Sequence, residues 1–233
     1  MNAATRAGAN APRFPRLVLF DLDGTLLDSA PDMLATVNRM RASRGQGPMP
    51  LARLRPHVSR GSRAMSAAAF PELEGEVPAG MVGEFLETYE TELGRSSQLF
   101  DGVADLLDAI EAEGARWGII TNKPEYLARQ VMPQLGWEAR CAILLGGDSL
   151  AERKPHPLPL QHAAATLGTP IDDCVYIGDD RRDIDAARAA GMRSVVALWG
   201  YRGEDEDPGG WGGDAMASSV RELLEAHFWQ GLR

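Results

Sequence analysis

Five short apolar runs punctuate the chain: Leu17-Val18-Leu19-Phe20, Trp117-Gly118-Ile119-Ile120, Ala142-Ile143-Leu144-Leu145, Val175-Tyr176-Ile177 and Ser194-Val195-Val196-Ala197-Leu198. None alternates polar with apolar residues. A strand that is apolar without interruption has both faces covered, the condition of a parallel sheet held between two layers of helices. The segments between the runs read as those helices. Val103, Leu106, Leu107 and Ile110 keep helical spacing within 103–113; 125–135 follows Pro124 and stops before Gly136; 157–167 stops before Gly168; 180–190 stops before Gly191. A proline ahead of a helix and a glycine just past it suit the two termini. The order predicts an α/β fold, a doubly wound parallel sheet with a Rossmann-like core.

Between Asp28 and Leu99 the pattern changes. No segment there reads as a strand, whereas 33–41, 63–70 and 82–93 read as helices separated by Gly- and Pro-rich joints. The expected organisation is a core of residues 16–27 and 99–233, a helical insert of residues 28–98, and a loose N-terminal tail of residues 1–15. With 233 residues, one large domain or one domain with a sizeable insert is the natural size class.

Charge and composition narrow the partners. Asp+Glu number 33 against 24 Lys+Arg, a formal net charge of -9. Non-specific nucleic-acid binding needs basic surface, and so does adhesion to anionic lipid, so neither partner is expected. No stretch approaches the ~20 apolar residues of a membrane span, and residues 1–16 lack the apolar run of a secretory signal. The two cysteines, Cys141 and Cys174, make no CxxC pair and suit a reducing compartment. A cytoplasmic location is expected. The four histidines are not spaced for zinc.

In an open α/β sheet, ligands bind beyond the carboxyl ends of the strands. Four runs end in polar clusters: Asp21-Leu22-Asp23-Gly24-Thr25, Thr121-Asn122-Lys123-Pro124, Gly146-Gly147-Asp148 with Lys154-Pro155 shortly after, and Gly178-Asp179-Asp180-Arg181-Arg182-Asp183. Carboxylates gathered at one edge repel one another unless a cation joins them, and hard oxygen donors suit Mg²⁺. Lys154 and Thr121 are placed to neutralise and hydrogen-bond phosphate oxygens. Of the two leading acids, one can attack phosphorus while the other moves protons.

These four clusters, in this order, resemble the four motifs of the haloacid dehalogenase superfamily, and the helices after the first resemble its C1 cap. The resemblance covers nearly all of residues 16–225. It implies a Mg²⁺-dependent phosphomonoesterase acting through an aspartyl phosphate. Asp21 is then the nucleophile, and Asp23 the acid that protonates the leaving oxygen and the base that activates water. Mg²⁺ is held by Asp21, the Asp23 carbonyl and Asp179, with Asp183 in support. Thr121 and Asn122 hold phosphate, and Lys154 stabilises the charge on nucleophile and phosphoryl group. Asp180 has no assigned role. Asp23 separates this chain from the dehalogenases, phosphonate hydrolases and transport ATPases of the superfamily, which lack that carboxylate.

Selection of a small phosphorylated metabolite falls to the cap. Within it, Val58-Ser59-Arg60-Gly61-Ser62-Arg63-Ala64-Met65 reads as an anion- or hydroxyl-binding turn, giving Arg60, Gly61, Ser62 and Arg63, together with Lys123, as candidate substrate residues. That segment and the stretches 121–124 and 178–184 resemble the phosphoglycolate phosphatase group. The turn and the late Gly200-Tyr201 to Trp211-Gly212 loop look most like bacterial N-acetylmuramic acid 6-phosphate phosphatases. N-acetylmuramic acid 6-phosphate is the lead substrate expected from the sequence, with 2-phosphoglycolate as the alternative and a sugar phosphomutase as a third reading.

Overall fold

β1 (Leu17–Phe20) is the strand about which the sheet is organised. In the computed structural model, which describes residues 13–203 and 206–232, it pairs in parallel with β4 (Arg116–Ile120) on one side and β6 (Cys174–Gly178) on the other. Between β1 and β4 lie β2 (Leu27–Asp28), helices α1 (Ala30–Ala42), α2 (Leu51–Leu54), α3 (Ser62–Ala69) and α4 (Ala79–Glu92), β3 (Gln98–Leu99) and α5 (Val103–Ala112). After β4 come α6 (Glu125–Leu135), β5 (Leu144–Leu145) and α7 (Leu158–Thr166); after β6 come α8 (Arg181–Ala190), β7 (Arg193–Ala197), β8 (Ala215–Ala217) and α9 (Ala226–Gln230). The six-stranded sheet has the order β5-β4-β1-β6-β7-β8, and every pairing in it is parallel.

Both faces of the sheet are covered, as unbroken apolar strands require. Val18, Phe20, Trp117, Ile119, Val175 and Ile177 pack on one face with Val103, Leu106 and Leu107 of α5 and Leu127 and Val131 of α6. Leu17, Leu19, Cys174 and Tyr176 pack on the other with Leu160 and Ala163 of α7 and Ala186 and Ala187 of α8. The expected doubly wound α/β architecture is the one observed. Gly118, in the middle of β4, has a close-approach reason: a Cβ there would stand 2.6 Å from Ile143 Cγ2 and 2.8 Å from its carbonyl oxygen.

The helices end where the glycines foretell. Gly136 after α6 and Gly191 after α8 are left-handed, at φ 69° and 71°, and their N–H groups close the last turns. Other boundaries move. The run at 142–145 keeps only Leu144–Leu145 as strand, although the Ala142 N–H still donates to the Trp117 carbonyl. β8 is too short to announce itself, three residues of which two are alanine, and Met216 at its centre is exposed. β2 and β3 form a two-residue antiparallel pair, Leu27 with Leu99 and Asp28 with Gln98. The chain therefore leaves toward the helices and returns from them side by side, and residues 28 and 98, expected to be strand-free, lie in it.

Among the helices of the insert, α1 packs on α4 through Met33, Val37 and Met40 against Phe85 and Tyr89. Buried Asp32 in the first turn of α1 accepts from Gly94 N (2.7 Å) and Ser96 N (2.6 Å), tying the outgoing helix to the returning segment ahead of β3. The expected tail also differs. Residues 1–12 lie outside the described residues, but Arg13 donates to the Leu224 carbonyl at 2.8 Å, and Phe14 is buried edge-on against Trp229, ring centroids 5.2 Å apart.

Candidate active site

The strand order reverses between β1 and β6, since the chain runs from β1 toward β4 and β5 and then returns to β6 on the other side. That reversal opens a crevice at the carboxyl ends, and Asp21 and Asp179 sit directly after the two strands that flank it. Asp183 comes from the first turn of α8. The carboxylate oxygens of Asp21, Asp179 and Asp183 lie within 4.8 Å of one another, and all three residues are buried.

Lys154 enters this cluster from the loop before α7. Its Nζ stands 2.6 Å from Asp183 Oδ1, 3.1 Å from Asp21 Oδ1 and 2.7 Å from the Tyr176 hydroxyl. Tyr176 in turn donates to the Ile120 carbonyl at 2.7 Å. Burial works against the Lys154 charge, but the Asp183 and Asp21 carboxylates outweigh it and raise the pKa. Leu22 N also donates to Asp21 Oδ1, at 2.7 Å, so the polar contacts of this carboxylate among the described residues gather on that oxygen.

One ammonium does not balance three buried carboxylates. Burial first, then repulsion from Asp21 and Asp183, pushes the Asp179 carboxyl well above the usual range. Burial pushes Asp183 to about 7; Lys154 opposes that rise and the Asp21 charge adds to it. An all-oxygen, net negative, desolvated cluster fits a hard divalent cation. Asp179 is held by Thr25 Oγ1 (3.0 Å to Oδ1), Tyr201 N (2.8 Å to Oδ2) and Ser59 Oγ (2.9 Å to Oδ2). Two glycines make room: a Cβ on Gly24, at φ +91°, would lie 2.3 Å from Asp179 Oδ2, and one on Gly200 would lie 2.1 Å from Asp179 Cβ.

Asp23 stands apart from the acidic cluster. Both of its oxygens are 3.2 Å from Lys123 Nζ, which also reaches the Tyr89 hydroxyl of α4 at 2.6 Å. Thr121 and Asn122 follow β4, beside β1. Thr121 Oγ1 accepts from Lys123 N at 3.3 Å. Asn122 Nδ2 donates to the Lys154 carbonyl at 3.0 Å, while its buried Oδ1 has no partner among the described residues.

The core candidates Asp21, Asp179, Asp183 and Lys154 are thus brought together, with Asp23, Thr121, Asn122 and Lys123 on the adjoining loops. The cap candidates are placed differently. Arg60 pairs with Glu206, and Arg63 donates to the Val77 carbonyl at 2.7 Å within the insert. Gly61 is the left-handed N-cap of α3, φ 86°, and Ser62 is that helix's first residue. The member of this turn that reaches the acidic cluster is Ser59, whose neighbour Arg60 carries the louder sequence signal. Arg182 fixes the turn by donating to the Ser59 carbonyl while pairing with Asp180 (Nε to Oδ1, 2.7 Å). Asp180 itself is the N-cap of α8 in a capping box with Asp183, a structural role the sequence left unassigned. Thr25, Tyr176 and Tyr201 complete the set of polar partners that sequence reasoning missed. The loop after β7 belongs to the site, since the Tyr201 hydroxyl donates to Asp28 at 2.6 Å and Trp199 Nε1 to the Thr25 carbonyl at 3.0 Å.

Cys141 and Cys174 are free thiols outside this site, and burial raises both to about 11. Among the described residues, no helix is long and apolar enough to cross a membrane.

Residues 18–197 match the family model of the haloacid dehalogenase-like hydrolases, and the chain belongs to that family. It is a phosphoric monoester hydrolase of that family. Over 217 residues it is 60% identical to a phosphoglycolate phosphatase of Xanthomonas campestris pv. campestris, spanning 93% of this chain and 98% of that one. Over 211 residues it is 40% identical to an N-acetylmuramic acid 6-phosphate phosphatase of Pseudomonas aeruginosa, spanning 90% and 93% of the two chains. The crystal structure of a predicted phosphoglycolate phosphatase from Haemophilus somnus superposes with a TM-score of 0.78 at 26% identity, covering 91% of this chain and 97% of that one.

Proposed function

We propose that the chain hydrolyses a small phosphorylated carboxylic acid, 2-phosphoglycolate, through a phosphoryl group carried on Asp21. The observation that carries the chemistry is the meeting of Asp21 with Lys154 and the Asp179–Asp183 pair at the β1/β6 crevice. In the first half-reaction, a carboxylate oxygen of Asp21 bonds to phosphorus as the ester P–O bond breaks, and Asp23 gives its proton to the departing alkoxide. In the second, Asp23 takes a proton from water, the water oxygen bonds to phosphorus, and the Asp21–phosphorus bond breaks to release inorganic phosphate. Lys154 holds Asp21 in line and offsets charge on the phosphoryl oxygens; Thr121 and Asn122 hydrogen-bond them. Asp21 and Asp179, with the Asp23 carbonyl and Asp183 in support, are the residues that would hold Mg²⁺, which when bound supplies positive charge against the phosphate oxygens.

The insert is the gate in this reading. The two crossings, at 28–31 and 96–100, are joined where Leu27–Asp28 pairs with Gln98–Leu99, so the helices turn about them as one body, admit substrate, and exclude water when seated. Support for 2-phosphoglycolate over the lead expected from the sequence comes from the 60% identical Xanthomonas relative that bears the phosphoglycolate phosphatase name. A second reading, N-acetylmuramic acid 6-phosphate, rests on the 40% identical Pseudomonas relative, which matches over nearly its whole length.

The test is phosphate release from both compounds, side by side, with and without Mg²⁺. A higher kcat/KM for 2-phosphoglycolate supports the first reading, and a preference for the sugar phosphate replaces it with the second. A phosphoryl group that moves within a sugar phosphate without free phosphate appearing would make the chain a phosphomutase.

A further inference from the structure

Lys123, like Lys154, is a buried lysine. Its side chain is 3% exposed, and an ammonium removed from water must have partners for its charge and for its three N–H groups. It has three acceptors: Asp23 Oδ1 and Oδ2 at 3.2 Å each, and the Tyr89 hydroxyl at 2.6 Å. Nζ lies 4.4 Å from the Tyr89 ring centroid, on its hydroxyl side. With all three donors committed, none is left over for a substrate.

The three residues come from different parts of the fold. Asp23 follows β1 and Lys123 follows β4, both in the core. Tyr89 lies on α4 of the insert, buried, with its ring stacked on Phe85 at 6.0 Å. The contact therefore crosses from insert to core at the carboxylate that has to transfer protons. A carboxylate free to swing about its χ angles loses most of the advantage of being nearby. One gripped at both oxygens by a cation that is itself pinned does not.

We propose that Tyr89 and Lys123 form a positioning relay, by which the insert, once seated on the core, fixes Asp23 for proton transfer to the leaving oxygen. Both are positioning residues: Tyr89 acts through Lys123, and Lys123 acts through the Asp23 carboxylate that it holds. The relay rests on the acid–base role proposed above for Asp23. It makes seating of the insert a condition for leaving-group protonation as well as for water exclusion.

The experiment compares Tyr89→Phe, Lys123→Met and Asp23→Asn with wild type in the full chain with Mg²⁺. It reads first-turnover and steady-state rates on 2-phosphoglycolate and on 4-nitrophenyl phosphate. An alkoxide needs a proton to leave, whereas nitrophenolate does not. Tyr89→Phe keeps the packed ring, so it tests the hydroxyl without unfolding the insert. The expected result is a first turnover slowed about tenfold on 2-phosphoglycolate, with Lys123→Met slower still. KM should stay within about threefold of wild type. On 4-nitrophenyl phosphate the first turnover stays near wild type and later ones slow, giving a burst, because attack by water still needs the base. Equal first-turnover losses on both esters overturn the relay, as does a raised KM with unchanged kcat, which would put Lys123 on the substrate. If Asp23→Asn discriminates between the esters and the other two variants do not, the relay alone fails. If Asp23→Asn does not discriminate either, the acid–base reading of Asp23 fails and takes the relay with it.

Discussion

The Ser59 hydroxyl donates to Asp179 Oδ2 across 2.9 Å, joining the helical insert to the acidic cluster of the core over 120 residues of sequence. The same oxygen takes Tyr201 N from the loop after β7, so an insert residue and a core residue share one carboxylate oxygen. A hydrogen bond to a charged group is worth about 1.5–3 kcal/mol net. Part of that free energy favours the seated insert. Ser59→Ala is expected to lower kcat/KM about tenfold with little change in Tm. Steady-state kinetics beside a thermal melt check this; unchanged kcat/KM would mean that the contact does not bear on closure.

Asp179 also explains Gly24. At φ +91° the residue occupies a conformation that side chains disfavour, and its missing Cβ is the space the Asp179 carboxylate fills. Gly24→Ala therefore strains the backbone and drives Asp179 out of line. Stability should fall by about 1–3 kcal/mol, and activity should fall further than stability accounts for. A denaturant titration and an assay at saturating Mg²⁺ separate the two losses.

The acidic cluster fixes the sign of a pH effect. Asp183 is raised to about 7 and Asp179 well above its usual value, whereas an unfolded chain titrates its aspartates near 3.9. Between about pH 4 and pH 7 these two carboxyls therefore bind more protons in the metal-free folded chain than in the unfolded one, and the stability they contribute falls as pH rises through that window. A divalent cation on the ionised cluster offsets the repulsion. The rise in Tm on replacing EDTA with Mg²⁺ is expected to be larger at about pH 8 than at about pH 5. A rise that shrinks with pH would place the cation elsewhere.

Much of this site was legible in the sequence, because strand ends announce themselves. Asp21, Thr121 and Asp179 each follow directly on an unbroken apolar run, and the order of those runs dictates a doubly wound sheet whose carboxyl edge gathers them. What stayed hidden is what a linear pattern does not encode. β8 is three residues, Ala215-Met216-Ala217, with Met216 exposed, and β2 and β3 are two residues long. Tyr176 reads as one more apolar strand residue until its hydroxyl is seen against Lys154. Within the 58–65 turn, charge drew attention to Arg60 and Arg63, yet one pairs with Glu206, the other with the Val77 carbonyl, and the small hydroxyl of Ser59 does the reaching. Lys123 was readable as a cation near the site, but the partners that use up its donors come from residues 34 and 100 positions away.

The most direct measurement is to quench the working enzyme in acid during turnover of 2-phosphoglycolate with Mg²⁺ and locate any protein-bound phosphoryl group by mass spectrometry. The expected result is phosphate on Asp21 in wild type and none in Asp21→Asn, whose turnover should be lower by at least about a thousandfold. A phosphoryl group on another residue, or an Asp21→Asn enzyme that keeps near-wild-type turnover, would contradict the covalent role of Asp21.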